Sequence, residues 1–174
     1  MTDYIKEIDE LTTKKDRLLL FVDTEFTDFK EMDLISIGIV SQENHEFYAE
    51  NSEYNRSWCN DFVKSIVIPK LYVGEYALPY TKLKEKLQLW ISELLKEYSS
   101  VLFVFDYSGD WFLLGELLIN YPHRDKVKGQ QDELEEGIEL YFIHDRSNEH
   151  HALFDAKALL NGFKVKYEVA ELPY

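Results

Sequence analysis

The stretch "RLLLFVDTEFT", residues 17–27, constrains the fold of this chain more than any other. Leu18 to Val22 form an unbroken apolar run, the pattern of a strand covered on both faces. Asp23 and Glu25 follow at its end with one threonine between them. Side chains alternate across a strand, so acids two positions apart project to the same side. Two such carboxylates repel each other unless a proton, a basic side chain or a divalent metal lies between them, and no basic residue follows until Lys30. The pair therefore reads in two ways: acids solvating a strand edge, or part of a metal site.

The rest of the pattern supplies a frame. Residues 33–40, "DLISIGIV", and 46–50, "EFYAE", read as two further strands joined through the turn "SQEN" as a hairpin. Pro69 and Pro79 break the chain around "KLYVGEYAL". A helix capped by Thr81 follows, because Leu83, Leu87, Trp90, Ile91, Leu94, Leu95 and Tyr98 recur at helical spacing, leaving Lys82, Lys84 and Lys86 on a solvated face. "VLFVF", 101–105, is a fourth strand, a helix carrying "WFLLGELLIN" starts near Asp110, and "YPHRDKVKGQQDELEEG" reads as a loop. "IELYFI", 138–143, is expected to be the fifth strand, and "ALFDAKALLNGF" a helix ended by Gly162. Strands with hairpin character followed by alternating helices and strands predict an α/β fold, a mixed five-stranded sheet with helices on its faces.

With 174 residues, 45% of them hydrophobic, and no Gly/Ser-rich or Pro-rich linker, the chain is expected to form a single domain spanning 1–174. Its apolar runs are too short for a membrane span, and "MTDYIKEIDE" is too acidic for a signal or transit peptide. A single cysteine, Cys59, allows no internal disulfide, so the chain reads as cytoplasmic. The 33 acids and 19 bases leave a net charge of −14, which repels a polyanion at long range. Divalent cations seated among the carboxylates reverse that sign locally.

Two more acids stand out. Asp110, in "FVFDYSGDWFLL", lies near a helix start, where it serves either as a cap or as a further ligand. Asp155, in "HHALFDAKALL", falls on the apolar stripe of the last helix, where an acid needs a partner. His150, five residues earlier, is placed at or just before that helix's first turn, either over the same pocket or exposed with His151.

Taken together, "DTEFT", "FDYSGDWFLL" and "HHALFDA" resemble, in order, the three motifs of the DEDDh family of 3′-5′ exonucleases, the third written H-x-A-L-x-D-A. The D-T-E-F opening and the hairpin behind it are most similar to the small bacterial and phage 3′-5′ exoribonuclease branch. This resemblance implies an RNase H-like fold and a two-metal phosphodiesterase using Mg²⁺ or Mn²⁺. Asp23 would touch both ions, Glu25 and Asp155 would complete the site that activates water, Asp110 would support the second ion, and His150 would be the general base. Physical chemistry agrees, since paired cations stabilise both oxygens of an in-line displacement, hard cations prefer carboxylate oxygens, and histidine accepts a proton near neutral pH. Asp106 competes with Asp110, which is preferred because a short aromatic-aliphatic helix start follows it; His151 and His144 lack the spacing that His150 has.

The resemblance implies as partner a single-stranded nucleic acid with a free 3′ end, RNA favoured over DNA, with no membrane and with a homodimer as one arrangement. Thr24 and Phe26 in the first motif are candidate substrate contacts, Phe26 by stacking on a base or else as a core residue. Arg124, Lys126 and Lys128 in the basic loop are candidates for phosphate, and at least one of Trp111 and Phe112 belongs to the core. Two other functions are open to such a chain: an acidic metal-binding or protein-interaction module without catalysis, and an RNase H-like endonuclease.

Overall fold

The computed structural model describes residues 15–168. The apolar run becomes the central strand β1 (Lys15–Phe26), antiparallel to β2 (Leu34–Ser41) on one side and parallel to β5 (Tyr98–Phe105) on the other. β3 (Glu46–Asn51) pairs antiparallel with β2, and the two-residue β4 (Ala77–Leu78) and the strand β6 (Val127–Gln131) add parallel at the two edges. The order is β4-β3-β2-β1-β5-β6. Among the described residues four α-helices flank the sheet: α1 (Tyr80–Glu97), α2 (Ser108–Leu117), α3 (Glu135–Phe142) and α4 (Ala152–Phe163).

Alternation along β1 sorts the core. Leu18, Leu20 and Val22 point to the face covered by α1 and α2, against Leu83, Leu87, Ile91, Leu113 and Leu117. Phe21 points to the opposite face with Val104, Leu134, Ala156 and Leu159, and its ring meets Phe163 edge-on at 5.2 Å. Full burial of a side chain of this size stabilises by about 1.5–3 kcal/mol. A third, smaller cluster gathers Ile35, Tyr54, Cys59, Val63 and Val67 below the irregular segment 56–76, with Ile68 and Leu71 packed on it.

The structure corrects the sequence expectations at several elements. The sheet has six strands among the described residues, not five. "IELYFI" falls almost wholly in helix α3: Gly137 and Phe142 are its buried positions, the buried Leu134 caps its start and Ile138 packs on the same cluster, a helical spacing that the short apolar run concealed. Two strands are added: the two-residue β4, in the stretch between the prolines, and "VKGQQ", read as loop because only Val127 is buried and apolar; as an edge strand it needs no second apolar face. Gly162 does not end α4. A side chain there would strike Leu134, and one on Gly137 would come within 2.4 Å of the Gly162 Cα, so the two glycines let α3 and α4 cross closely. The last helix starts against the sheet for a similar reason: a Cβ on Gly38 of β2 would lie 2.3 Å from the Ala152 backbone. No helix among the described residues is long and apolar enough to cross a membrane.

Candidate active site

The alternation that builds the core also places the acids. Asp23 and Glu25 share the face of Phe21, the face that α4 covers, and Asp155 sits in the first turn of α4. Thr24 points the other way, toward α2. There its backbone N–H and its hydroxyl both donate to Asp110 Oδ1, at 3.0 and 2.6 Å. Asp110 is 2% exposed, so the acid at the start of α2 is spent on strand β1 rather than on capping its own helix. Asp106 follows the end of β5 and is exposed.

Two overlapping sets of carboxylates result. One is Asp23, Glu25 and Asp155; the other is Asp23, Asp106 and Asp110, with ligand oxygens within 4.8 Å of one another in each. Asp23 is common to both. Both sequence alternatives for the second-motif acid, Asp106 and Asp110, reach Asp23.

Concentrating these groups in partial burial perturbs them all. Asp23 is pushed well above the usual carboxylate range, first by burial and then by the charges of Asp110, Asp155 and Glu25. Glu25 rises to about 8 through burial and the charges of Asp155 and Asp110. Asp110 rises to about 7 through burial, although the Thr24 hydrogen bonds pull it down. Asp155 also rises to about 7 through burial, opposed by the backbone N–H of His150. Such a group cannot hold all its negative charges at neutral pH without counter-charge. An all-oxygen donor set of this kind fits hard divalent cations such as Mg²⁺ or Mn²⁺.

The acids open onto a cleft of about 490 Å³. His150 lines it, its ring edge-on to Phe62 at 4.9 Å, and burial lowers its pKa below 6.5 so that the neutral ring prevails at pH 7. His151 does not. It is 3% exposed, its ring stacks on Tyr48 at 4.7 Å, and its Nδ1 accepts from the Leu153 N–H as the cap of α4. Burial lowers its pKa to about 4.

Aromatic rings form the opposite wall. Phe26 packs partly on the core and stacks on Tyr107 at 5.9 Å, while Phe29 meets both edge-on. At 70% exposure Phe29 is not a core residue. Of the α2 pair, Trp111 stacks on Phe105 in the core and Phe112 is exposed.

The basic loop is elsewhere. The Arg124 guanidinium lies over the Trp111 ring and donates to the Val127 carbonyl at 3.0 Å. Arg124 and Lys126 lead into β6, whose Val127 pairs with Val101, whereas Asp106 lies beyond the far end of β5. Five steps of strand, roughly 16 Å, separate the two ends. Neither Arg124 nor Lys126 lines the cleft. The cation that sequence reasoning missed is Lys70, whose charge acts on Glu25 and Asp155 and whose Nζ donates to the Glu149 carbonyl. Nothing in "IVIPKLYV" marked it, because its place depends on the path of an irregular segment. Phe29, Phe62 and Tyr107 were missed too: the first two are single aromatics outside the motifs, and Tyr107 lies inside the second one without a pattern of its own.

Comparison with known proteins bears on this arrangement. Over 86% of its length the chain superposes on cell-death related nuclease 4 (CRN-4), with a TM-score of 0.55, 17% identity and 64% of that chain covered. The fold is that of an RNase H-like exonuclease. Over 52 residues the chain is 40% identical to a 3′-5′ exoribonuclease of Mycobacterium tuberculosis, found in strains CDC 1551/Oshkosh and H37Rv. That match spans 29% of this chain and 31% of the relative, so the chain matches about a third of the relative's length. No protein-family model matches. The resemblance to the DEDDh 3′-5′ exonucleases carried by the three motifs agrees with both comparisons, and the exonuclease fold brings the motif acids to one end of one sheet.

Proposed function

We propose that this chain is a divalent-cation-dependent 3′-5′ exonuclease acting on single-stranded nucleic acid, with RNA preferred. The observation that carries the reading is Asp23 standing in ligand reach of both carboxylate sets beside a cleft that His150 lines. The partial match to a 3′-5′ exoribonuclease supports the direction of digestion and the preference for RNA.

Asp23, Glu25 and Asp155 would hold one cation, and Asp23, Asp110 and Asp106 the second. Bound there, divalent cations supply positive charge to the scissile phosphate and lower the pKa of the attacking water. The chain's own residues do the rest. His150, neutral at pH 7, takes the proton from that water on a ring nitrogen. Thr24 fixes the Asp110 carboxylate, which lines the cleft, through two hydrogen bonds to Oδ1. Phe26, Phe29 and Tyr107 offer faces and edges on which the terminal bases stack, a contact that every base can make. With no cluster of Lys and Arg lining the cleft among the described residues, a short single-stranded end is favoured over a long duplex.

The test is digestion of 5′-labelled single-stranded RNA and DNA with Mg²⁺ or Mn²⁺. A ladder shortening from the 3′ end, faster on RNA, is expected. Internal cuts would replace this reading with an endonuclease, and an inert substrate with a binding module.

A further inference from the structure

His150 adopts a left-handed backbone, φ +62°, which a residue bearing a Cβ rarely takes up. Such a conformation persists only where the surroundings over-determine it. Here one peptide group is held at both of its polar ends. The carbonyl of Glu149 accepts from Lys70 Nζ, and the N–H of His150, the other end of the same peptide, acts on the Asp155 carboxylate, whose pKa it lowers. In a trans peptide these two groups point in opposite directions, so a cation on one side and an anion on the other fix the rotation of the plane.

Lys70 is itself well anchored. Pro69 precedes it in a 3₁₀ turn, and Ile68 and Leu71 on either side pack against Val63, Val67 and their neighbours. The same segment presses the Phe62 ring on the edge of the His150 imidazole. The segment that supplies Lys70 therefore restrains both the main chain and the ring of the histidine. Glu149 has its side chain tied as well, to Arg146 at 3.0 Å, and Arg146 in turn bonds Glu139.

We propose that Lys70 is the positioning residue for His150: its ammonium, seated on the apolar 63–71 segment, locks the Glu149–His150 peptide so that the imidazole faces the carboxylates. The proposal rests on His150 acting as general base. Lys70 does not take the proton and need not touch the substrate. It determines where the histidine stands.

The experiment compares the wild-type chain with Lys70→Met and Lys70→Arg by amide hydrogen exchange, Mn²⁺ titration and steady-state kinetics on single-stranded RNA. In Lys70→Met the His150 amide should exchange at least about tenfold faster while the buried Phe21 and Val22 amides stay protected. Its kcat should fall about 10- to 100-fold with KM within about threefold, the signature of a displaced catalytic group. Mn²⁺ affinity should be unchanged or tighter, because a positive charge near Glu25 and Asp155 is removed. Lys70→Arg, which keeps the charge and a donor, should recover most of kcat and the amide protection. A tenfold rise in KM with kcat intact would make Lys70 a phosphate contact and overturn the proposal, as would an unchanged His150 amide or an arginine variant as impaired as the methionine one. If Lys70→Met also exposes the β1 amides, Lys70→Ala, which lets water reach the freed carbonyl, is read by the same criteria. A wild-type chain inert on all nucleic acids would sink the nuclease reading, and the exchange measurement would still decide whether Lys70 holds the loop.

Discussion

Replacing Thr24 by valine removes one hydroxyl and keeps the β-branched shape of the side chain. The hydroxyl donates to Asp110 Oδ1 at 2.6 Å in a buried setting, beside the longer bond from the Thr24 backbone N–H. A hydrogen bond to a charged group contributes about 1.5–3 kcal/mol. At about 1.4 kcal/mol per pKa unit, losing it raises the Asp110 pKa by about 1–2 units from its position near 7. At pH 7 the ionised fraction then falls from about half to between about a tenth and a hundredth, so a cation that needs this carboxylate binds about 5- to 50-fold more weakly. Near pH 9 the gap narrows. The stability of the metal-free chain follows the same proton. Asp110 titrates near 7 when folded and near 3.9 when unfolded, so the folded chain binds the extra proton between these values and stability falls as pH rises through them. Thr24→Val should extend that fall above pH 7. Mn²⁺ calorimetry between pH 6 and 9 and a ¹³C carboxyl titration of Asp110 are the assays. An Asp110 pKa that stays put or drops in the variant would refute the reasoning.

Three other perturbations follow from the site and the fold. Asp23→Asn removes the one residue common to both carboxylate sets, so Mn²⁺ uptake should fall steeply while metal-free stability at pH 8 rises, measured by calorimetry and urea unfolding. His150→Ala should lower exonuclease kcat by about 10²- to 10⁴-fold with an unchanged melting temperature, whereas His151→Ala should instead lower stability by about 2–4 kcal/mol through a lost cap and a cavity beside Tyr48. Gly38→Ala pushes a methyl group into the Ala152 backbone and should destabilise by about 1–3 kcal/mol, with the chemical shifts of 150–155 moving most.

The sequence revealed the acid face of β1 because alternation is a local rule: once 18–22 is a strand, Asp23 and Glu25 must share the side of Phe21. It revealed α1 for the same reason, its stripe from Leu83 to Leu95 being long enough to display a period. His150 and His151 were told apart by spacing from Asp155, and the structure places one in the cleft and the other under Tyr48. The failures have a common cause. "IELYFI" is too short to show whether its period is that of a strand or a helix, and "VKGQQ" makes an edge strand with almost no apolar signature. Arg124 and Lys126 looked close to the acids because they lie between two motifs in the chain, but strand order and direction put them at the other end of β5. Lys70 reaches the site through a segment whose course no periodicity describes.

Anomalous diffraction from crystals of the chain soaked in Mn²⁺ tests the gathering of these acids most directly. The account predicts manganese peaks bounded by Asp23, Glu25 and Asp155 and by Asp23, Asp106 and Asp110, with His150 facing them across the cleft. Crystals that take up no manganese at Asp23, or that show Asp155 turned out of its reach, would contradict it.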